Sequence, residues 1–372
     1  MSKYFATSLD VYDRQMKYKV VFVVPSFAGG GAERVIIMLA NSLDRTRYIP
    51  SIIVLNAKGP LQKLIADDVA VVNLGRPRLR YAIYRLIIEI RKIEPDAVIP
   101  TMGYLNLCIL SIWKKIGADI RVIVREANAV DATIKAIKLP FLGRFLYSYL
   151  YPRATKVITP SQLIAKDLRE RWRVSGEKLV VLPNPVDTRW VRNQANKIKR
   201  HSGIGRRFVA SGRLVDQKGF DLLIAWLRNM APDTHVTIFG EGHMREPLIA
   251  QAKKMKVMKQ LRFAGFVNNP WRFYAGADAF LLTSRWEGMS NASLEALAVG
   301  TPVIGTPQSG GLREVATQTT PLAITIAEPG MDYVNALMRV TPSIPSELRP
   351  SLLPDSYSLE RANKKFEEIL VS

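Results

Sequence analysis

The stretch Tyr18–Leu43, YKVVFVVPSFAGGGAERVIIMLANSL, changes its pattern once along its length. Its first part, Tyr18–Pro25, is a short apolar and β-branched run, which is typical of a parallel strand buried on both faces. The run breaks at Gly29–Gly31, and from Ala32 onward the apolar residues recur at helical spacing. A strand, a glycine-rich turn and a helix in this order predict the first unit of a doubly wound α/β sheet.

The same alternation continues along the rest of the chain. Further strands of the first half are predicted at Ser51–Leu55, Ala70–Asn73, Ala97–Pro100, Arg121–Arg125 and Lys156–Thr159, and Leu179–Asp187 reads LVVLPNPVD, a strand that stops at two prolines. Strands of the second half are predicted at Arg207–Ser211, His235–Gly240, Leu261–Ala264, Ala279–Thr283 and Pro302–Gly305, and helices at Phe220–Met230, Arg245–Met255 and Asn291–Val299. Strands that alternate with helices predict parallel sheets in both halves.

A chain of 372 residues is too long for one hydrophobic core, so we predict two domains. Residues 17–188 are assigned to the first and residues 207–354 to the second. The polar, basic and aperiodic segment 189–206 is interpreted as a linker, and residues 1–16 as an N-terminal extension. A helix at residues 355–372 is expected to pack back on the first domain.

The composition excludes several classes of protein. A single cysteine, Cys108, excludes a disulfide framework, and three scattered histidines argue against a zinc site. No apolar run reaches the roughly 18 residues needed to cross a bilayer, and the N-terminus lacks the apolar core of a signal peptide. We therefore expect a cytoplasmic protein that is soluble or peripheral to the membrane.

Two carboxylates, Glu287 and Glu295, stand eight residues apart in EGMSNASLE, which follows an apolar strand and opens a helix. Eight residues are a little over two helical turns, so Glu295 is expected on the face that Glu287 approaches from the preceding loop. Gly288 and Ser290 let the backbone come close to a ligand, and a helix N-terminus offers N–H groups to an anion. The alternative is an acidic first turn that suits the helix dipole.

The segment Gly212–Gly219, GRLVDQKG, follows a predicted strand and carries two cations, Arg213 and Lys218, ahead of a helix. Cations at the carboxyl edge of a parallel strand lie where open α/β sheets bind ligands. Arginine can bind phosphate with two hydrogen bonds, and lysine acts as a point charge. The segment predicts a phosphate site, and its alternative is a solvated basic loop.

Three consecutive glycines, Gly29–Gly31, allow the backbone after the first strand to approach a ligand closely. The segment is not G-x-G-x-x-G, and no acidic residue closes the second strand at Leu55, which argues against a nicotinamide cofactor. A purely structural tight turn is the alternative interpretation.

Together these segments resemble the retaining glycosyltransferases of the GT-B fold, glycosyltransferase family 4. The family combines a glycine-rich loop after the first strand, a G-R-x-x-x-x-K-G loop, a later G-x-G and an E-x7-E motif. Here the four motifs read Gly29–Glu33, Gly212–Gly219, Gly240–Gly242 and Glu287–Glu295, and Ala296–Gly305 and Gly310–Glu314 resemble the family's final stretch. The resemblance covers residues 18 to 370 and implies two Rossmann-like domains that face a central cleft.

The resemblance implies a site for a nucleoside-diphosphate sugar, with the choice between uridine and guanosine left open. Arg213 and Lys218 would neutralise the donor diphosphate without a metal, and no cofactor is expected. Glu287 would contact the transferred sugar, and Glu295 the ribose. The other donor-binding residues that it implies are Gly30, Gly31, Gly212, Gly240, Gly242, Phe266, Val267, Gly288, Met289 and Ser290.

One position departs from the family pattern. Many relatives carry a histidine in the loop after the strand that here ends at Arg125, and Ala127 stands in its place. The neighbouring Glu126 is predicted to be catalytic, through a contact with the acceptor or the sugar. The resemblance implies front-face substitution with retention, in which the departing phosphate helps to remove the acceptor proton.

The formal charge of +21 is unevenly distributed. Residues 1–200 hold 34 Lys and Arg against 16 Asp and Glu, whereas residues 201–372 hold 19 against 16. A basic half predicts a polyanionic partner, either membrane lipid or nucleic acid, and the alternative is a host that favours basic proteins.

Two basic segments point to a membrane. Arg76–Arg80 with Arg85 forms a cationic cluster, and Ile134–Arg153 mixes Lys and Arg with Phe, Leu and Tyr as an interfacial membrane helix does. The alternative for the second segment is a core-packed helix with a basic edge. We expect a lipid-linked or polysaccharide acceptor. We also expect the protein to bind the anionic surface of the inner face of the cell membrane.

Two other functions stay open. A GT-B nucleotide-sugar epimerase would isomerise the donor without adding an acceptor. A nucleic-acid- or polyanion-binding protein would explain the charge, but nucleic acid requires aromatic stacking platforms or a known binding module, and the sequence offers neither. We therefore expect no nucleic-acid partner.

Overall fold

The computed structural model describes residues 17–135, 139–198, 205–342 and 347–372, and the structural statements below refer to these ranges. Strands and helices alternate along the chain and form two parallel sheets. The predicted α/β class with two doubly wound sheets is confirmed.

The first sheet has the strand order β3-β2-β1-β4-β5-β6-β7. Its strands are β1 (Tyr18–Ser26), β2 (Tyr48–Asn56), β3 (Ala70–Asn73), β4 (Ala97–Pro100), β5 (Arg121–Arg125), β6 (Lys156–Thr159) and β7 (Leu179–Val181). Its helices are α1 (Gly31–Ser42), α2 (Leu79–Ile93), α3 (Gly103–Ile116), α4 (Val130–Lys135), α5 (Pro140–Leu150) and α6 (Gln162–Trp172). β1 pairs with β2 and β4, and its segment Val20–Val24 is fully buried. Burial on both faces explains its β-branched run.

The second sheet has the order β10-β9-β8-β11-β12-β13. Its strands are β8 (Arg207–Ser211), β9 (His235–Phe239), β10 (Leu261–Gly265), β11 (Ala279–Leu282), β12 (Val303–Gly305) and β13 (Ile324–Ile326). The remaining helices are α7 (Thr188–Ala195), α8 (Phe220–Leu227), α9 (Arg245–Lys254), α10 (Trp271–Ala275), α11 (Asn291–Ala298), α12 (Leu312–Ala316), α13 (Met331–Met338) and α14 (Leu359–Val371). In each sheet the strand order reverses beside the first strand, and open α/β sheets bind ligands beyond the carboxyl ends at such a point.

Five strands have the bounds that the sequence predicts, and no strand is predicted where β13 lies. β3, β4, β5, β6 and β8 agree to the residue. β7 ends at Val181, two residues before Pro183, as expected of a strand that stops at two prolines. Proline has no N–H to donate to a neighbouring strand, so Pro183 and Pro185 prevent the ladder from continuing.

The aperiodic segment 189–206 contains a helix in its first part, since α7 covers Thr188–Ala195. The Asp187 carboxylate caps this helix and accepts a hydrogen bond of 2.9 Å from the Trp190 N–H. Val191 and Ala195 are buried in the core, and the Trp190 ring packs edge-on against Trp271 at 4.7 Å. Two helical turns are too short for a periodic signal, so long-range packing selects this helix. Residues 199–204 of the predicted linker lie outside the described ranges.

The interpretation of Ile134–Arg153 as one helix is also corrected. α4 ends at Lys135 and α5 begins at Pro140, and residues 136–138 lie outside the described ranges. Proline suits the first turn of a helix, where its missing N–H has no helical partner, so Pro140 marks the start of a separate helix.

The chain divides into two compact units. One consists of residues 17–125, 153–157 and 370–372, and the other of residues 126–135, 139–152, 158–198, 205–342 and 347–369. The domain bounds predicted from the sequence stay predictions, and the extension 1–16 lies outside the described ranges. At the C-terminus, the Arg121 guanidinium donates hydrogen bonds to the carbonyl groups of Leu370 and Ser372.

Candidate active site

Three loops of the second sheet carry most of the predicted site residues. They follow the neighbouring strands β8, β9 and β11 at their carboxyl ends. β8 pairs in parallel with both β9 and β11, so these loops leave the sheet at the same edge. The topology therefore brings the segment Gly212–Gly219 next to the segment that begins at Thr283, although about 70 residues separate them in sequence.

Glycines allow these loops to nest against one another. Gly219 has a left-handed backbone (φ 62°), and a Cβ at this position would stand 2.1 Å from the Thr283 carbonyl oxygen. A Cβ at Gly240 would stand 2.0 Å from the Gly212 carbonyl oxygen. The Thr283 hydroxyl donates a hydrogen bond of 2.9 Å to the Lys218 carbonyl, which fixes the two loops together.

Lys218 and Glu287 form an ion pair with 2.7 Å between Nζ and Oε2. Their side chains are 15% and 9% exposed, so neighbouring groups and not bulk water must satisfy both charges. The Ser284 hydroxyl donates a second hydrogen bond, of 2.9 Å, to the same Glu287 oxygen. The structure thus brings together two of the residues that the sequence predicts to bind the donor.

Arg213 differs from Lys218 in its surroundings. It is exposed, and within the described residues its side chain makes neither a hydrogen bond nor an ion pair. An arginine at the end of β8 without a carboxylate partner can bind an incoming anion with no ion pair to break.

The second glutamate of the motif, Glu295, lies in α11 and is 7% exposed. Its Oε2 accepts a hydrogen bond of 2.7 Å from the Trp271 indole N–H. The Ser290 hydroxyl caps α11 by accepting a hydrogen bond from the Ser293 N–H, and the Gly288 N–H donates to Asn128 Oδ1 at 3.2 Å. The backbone around Met289 therefore has defined partners before any ligand is bound.

The residues predicted to border the nucleobase adjoin the same edge. Gly240 and Gly242 follow β9, and Phe266 and Val267 follow β10, which pairs with β9. Val267 packs against the core, whereas Phe266 is 56% exposed and leaves its ring open for stacking.

Glu126 is buried, with 1% of its surface exposed. Its carboxylate accepts hydrogen bonds from the hydroxyl groups of Tyr147 and Tyr151, whose rings stack at 4.5 Å between centroids. Burial raises the pKa of Glu126 from its ordinary 4.5 to about 7, although the hydrogen bonds from Tyr151 and its other neighbours oppose this shift. The side chain predicted to touch the acceptor or the sugar thus contacts tyrosines in this structure.

The predicted glycine loop belongs to the other compact unit and precedes α1. Gly30 is the N-cap of α1, and Gly31 is its first residue. A Cβ at Gly30 would stand 2.0 Å from Glu33 Oε2, so glycine makes room for a carboxylate that is only 4% exposed. Burial raises the pKa of Tyr104 to about 12, and the charge of Glu33 adds to this shift.

The sequence analysis missed several residues that hold the site. Ser284 binds Glu287, Trp271 binds Glu295, and Asn128 binds the Gly288 N–H. Ser284 could have been found from its place at the carboxyl end of a predicted strand. No local signal points to Trp271, which lies 24 residues from Glu295 in sequence.

Two kinds of feature, a metal-binding cluster and a membrane-spanning helix, are absent from the described residues. No three His, Cys, Asp or Glu side chains come together there as they would to hold a metal ion. Among the described helices, none has the length and the apolar composition that crossing a bilayer requires.

Comparisons with known proteins identify the family. The family "Glycosyltransferase Family 4" matches residues 29–190, and "Glycosyl transferases group 1" matches residues 192–337. A relative from Campylobacter jejuni, N-acetylgalactosamine-N,N'-diacetylbacillosaminyl-diphospho-undecaprenol 4-alpha-N-acetylgalactosaminyltransferase, is 31% identical over 175 residues, which are 47% of either chain. An Escherichia coli UDP-Gal:alpha-D-GlcNAc-diphosphoundecaprenol alpha-1,3-galactosyltransferase is 30% identical over 45% of this chain and 46% of that protein. The matched segment thus spans about half the length of each of these relatives.

A solved structure supports the fold. The crystal structure of Anabaena HepE in complex with UDP and glucose aligns with a TM-score of 0.74 at 17% identity, over 95% of this chain and all of that one. At this identity the likeness concerns the fold alone. Because the two family matches follow one another over most of the sequence and the fold agrees, the chain is a glycosyltransferase of the GT-B fold.

Proposed function

We propose that this chain is a hexosyltransferase that moves a sugar from a uridine-diphosphate sugar to a lipid-linked acceptor, with retention and without a metal. The observation that carries the proposal is the partly buried Lys218–Glu287 ion pair together with the exposed Arg213, at the carboxyl ends of β8 and β11. Two relatives are named for transfer to diphospho-undecaprenol glycans, and one structural neighbour is a complex with UDP.

The two cations act on the leaving group. As the bond between the sugar C1 and the phosphate oxygen breaks, negative charge grows on the diphosphate, and Arg213 and Lys218 stabilise it. Lys218 already has a carboxylate partner at 2.7 Å, so donor binding adds a phosphate to an ammonium that is held in place. Two fixed positive charges can replace a divalent ion here, which is why we propose metal independence.

The two glutamates have separate tasks. Glu287 accepts hydrogen bonds from the transferred sugar, on which positive charge develops. Glu295 accepts them from the ribose, and Trp271 keeps its carboxylate in place. Phe266 stacks on the uracil, with Val267, Gly240 and Gly242 at its border. The other proposed donor contacts are Gly30, Gly31, Gly212, Gly288, Met289 and Ser290.

The bond changes balance without a protein nucleophile. The acceptor oxygen forms a bond to C1 on the face from which the diphosphate departs, and the acceptor proton goes to the departing phosphate oxygen. Retention follows because one face serves for both events. Glu126, which the resemblance suggested as catalytic, is enclosed by Tyr147 and Tyr151, so we propose that it positions the loop after β5.

We place the reaction at an anionic membrane surface, on the inner face of the cell membrane. A lipid-linked acceptor is confined to a bilayer, and the net charge of +18 on residues 1–200 suits an anionic one.

The proposal is tested in two steps. UDP should raise the unfolding temperature more than GDP or a nicotinamide dinucleotide, because a ligand stabilises the native state in proportion to its occupancy. The purified chain should then convert UDP-sugars and an undecaprenyl-diphosphate-linked sugar into an extended lipid-linked product and UDP. Isomerised donor without any extended product would favour the epimerase, and stabilisation by GDP alone would refute the choice of uridine.

A further inference from the structure

Helix α5 presents an exposed aromatic stripe. Phe141, Phe145 and Tyr149 follow one another at intervals of four residues and are 71%, 59% and 51% exposed. This spacing places them on one side of a helix, and the rings of Phe145 and Tyr149 stack at 5.6 Å between centroids. Leu142 extends the same side and is 40% exposed. We call these four side chains the α5 stripe.

The opposite side of α5 packs into the protein. Gly143, Tyr147 and Leu150 are buried, and Tyr147 packs on Trp172 of α6 with ring centroids 5.5 Å apart. A helix that packs on one side normally presents polar residues on the other. In α5 the outward side is aromatic instead, and Arg144 is the helix's one charged residue. A contiguous exposed apolar patch of this kind marks an interaction surface.

The charge of the sequence that flanks the stripe indicates the kind of partner. From Ala132 to Lys166 the sequence holds six Lys and Arg residues and neither Asp nor Glu. Arg144 is exposed within the helix itself. Aromatic rings beside lysines and arginines are the composition of helices that lie in the interface of a bilayer with anionic headgroups.

We infer that α5 is the element that docks this protein on an anionic bilayer, with the α5 stripe inserted among the lipids at headgroup depth and Arg144 at the phosphates. The proposed function supplies the reason for such a surface, since a lipid-linked acceptor lies in a membrane. The inference goes beyond it by assigning the contact to one helix and one set of side chains.

Hydrogen bonds on the buried side of α5 connect this helix with the proposed donor site. Tyr147 of α5 and the following Tyr151 bind the Glu126 carboxylate, which fixes α5 to the loop after β5. Two residues further along that loop, Asn128 Oδ1 accepts a hydrogen bond from the Gly288 N–H of the glutamate segment. A helix that is held on the lipid surface would therefore also hold the loop that contacts the proposed donor-binding backbone.

The test measures membrane binding directly, without sugar transfer. Wild-type protein should sediment with phosphatidylglycerol-containing vesicles and not with pure phosphatidylcholine vesicles. The double variant Phe141→Ser/Phe145→Ser should lose at least tenfold in partition coefficient, because two large apolar side chains no longer enter the interface. The control Leu322→Ser/Met331→Ser removes two exposed apolar side chains elsewhere, at 87% and 55% exposure, and should bind like wild type.

Charge and insertion are separated by salt. The variant Lys135→Glu/Lys138→Glu/Arg144→Glu should lose binding at low salt, whereas the wild type should keep a part that survives high salt, owing to the α5 stripe. In addition, Phe145→Trp should gain fluorescence quenching by brominated lipid relative to wild type. UDP should stabilise every variant as it stabilises the wild type, because α5 lies outside the proposed donor residues.

Several results would overturn the inference. One is equal binding to neutral and anionic vesicles, and another is no binding to either. A third is an equal loss of vesicle binding in the Phe141/Phe145 variant and in its Leu322/Met331 control. A wild-type dimer that the Phe141/Phe145 variant abolishes would assign the α5 stripe to a second copy of the chain. Failure of vesicle binding with intact UDP stabilisation and transfer would refute the docking helix alone, and intact vesicle binding without either would refute the proposed function alone.

Discussion

The two sheets have the same order around their first strand, yet their loops carry different chemistry. After β8 and β11, the second sheet has an exposed arginine and a partly buried lysine–glutamate pair. After β1, the first sheet has a glycine turn folded around the Glu33 carboxylate, and the loop after β5 begins with the buried Glu126. Strand order thus fixes where a ligand can bind, and the loop residues decide which ligand it is.

The distribution of charge separates the two halves further. Residues 1–200 carry a net charge of +18, and residues 201–372 a net charge of +3. In the second half, Arg213 and Lys218 stand in the loop after β8, where a small anion can bind at the carboxyl end of the strand. In the first half cations are spread over surfaces such as α2, which suits a partner that is itself an extended polyanion. Substitutions in each half test this division.

Removing the positive charge of Arg213 or Lys218 should have the largest effect on kcat. Arg213→Ala and Lys218→Ala should each lower kcat by about 10²-fold, because each takes a positive charge from the leaving diphosphate. Arg262→Ala, at an exposed arginine in β10 of the same sheet, should leave kcat within about twofold if charge must sit at the strand ends to matter. Near-normal steady-state kinetics for Arg213→Ala and Lys218→Ala would show that the diphosphate binds elsewhere.

Replacing Glu287 should mainly change kcat, and replacing Glu295 should mainly change KM. Glu287→Ala should lower kcat by roughly tenfold or more, because its contact with the sugar strengthens as charge develops. Glu295→Ala should mainly raise KM for the donor, because a ribose contact changes little between the ground state and the transition state. The exposed Glu246 in α9 provides the control Glu246→Ala, which should change neither constant. The opposite pattern would exchange the two assignments.

Glu126, in the loop after β5, should make the free energy of unfolding depend on pH. Its pKa of about 7 lies above the ordinary 4.5, so the folded state favours the protonated acid. This contribution is fully present below about pH 4.5, and it is lost at about 1.4 kcal/mol per pH unit as the pH rises to about 7. Glu126→Gln cannot titrate but retains an oxygen for a tyrosine hydroxyl.

The difference in unfolding free energy between Glu126→Gln and wild type should therefore shift in favour of the glutamine between pH 5 and pH 7 and level off above. Urea unfolding at a series of pH values measures it, with the exposed Glu246→Gln as a control that should follow wild type throughout. A difference independent of pH would show that Glu126 is ionised in the folded state over this whole range.

Removing divalent metal ions with a chelator should have the smallest effect, because we expect the rate of transfer to stay unchanged. If Arg213 and Lys218 neutralise the diphosphate, excess EDTA should leave the initial rate of transfer unchanged. The matched measurement adds magnesium or manganese to protein that has been dialysed against chelator. Loss of transfer with EDTA and recovery with either metal would refute the metal-independent mechanism.

The α/β class, the bounds of strands such as β3 and β8, and the order of the four motifs can all be predicted from local sequence patterns. These features are local, because a strand buried on both faces must be an apolar run and a turn that approaches a ligand must contain glycine. The same local logic placed Arg213, Lys218 and Glu287 in loops at strand ends.

Which side chains contact one another depends on the tertiary structure. Lys218 and Glu287 are 69 residues apart, Glu295 binds a tryptophan that no motif identifies, and Glu126 lies beneath two tyrosines. α7 forms in a stretch without periodicity because its apolar residues find a core, and the exposure of the α5 stripe depends on which side of α5 packs inward. Such pairings depend on distances between residues remote in sequence, and the pattern of either segment alone does not contain them.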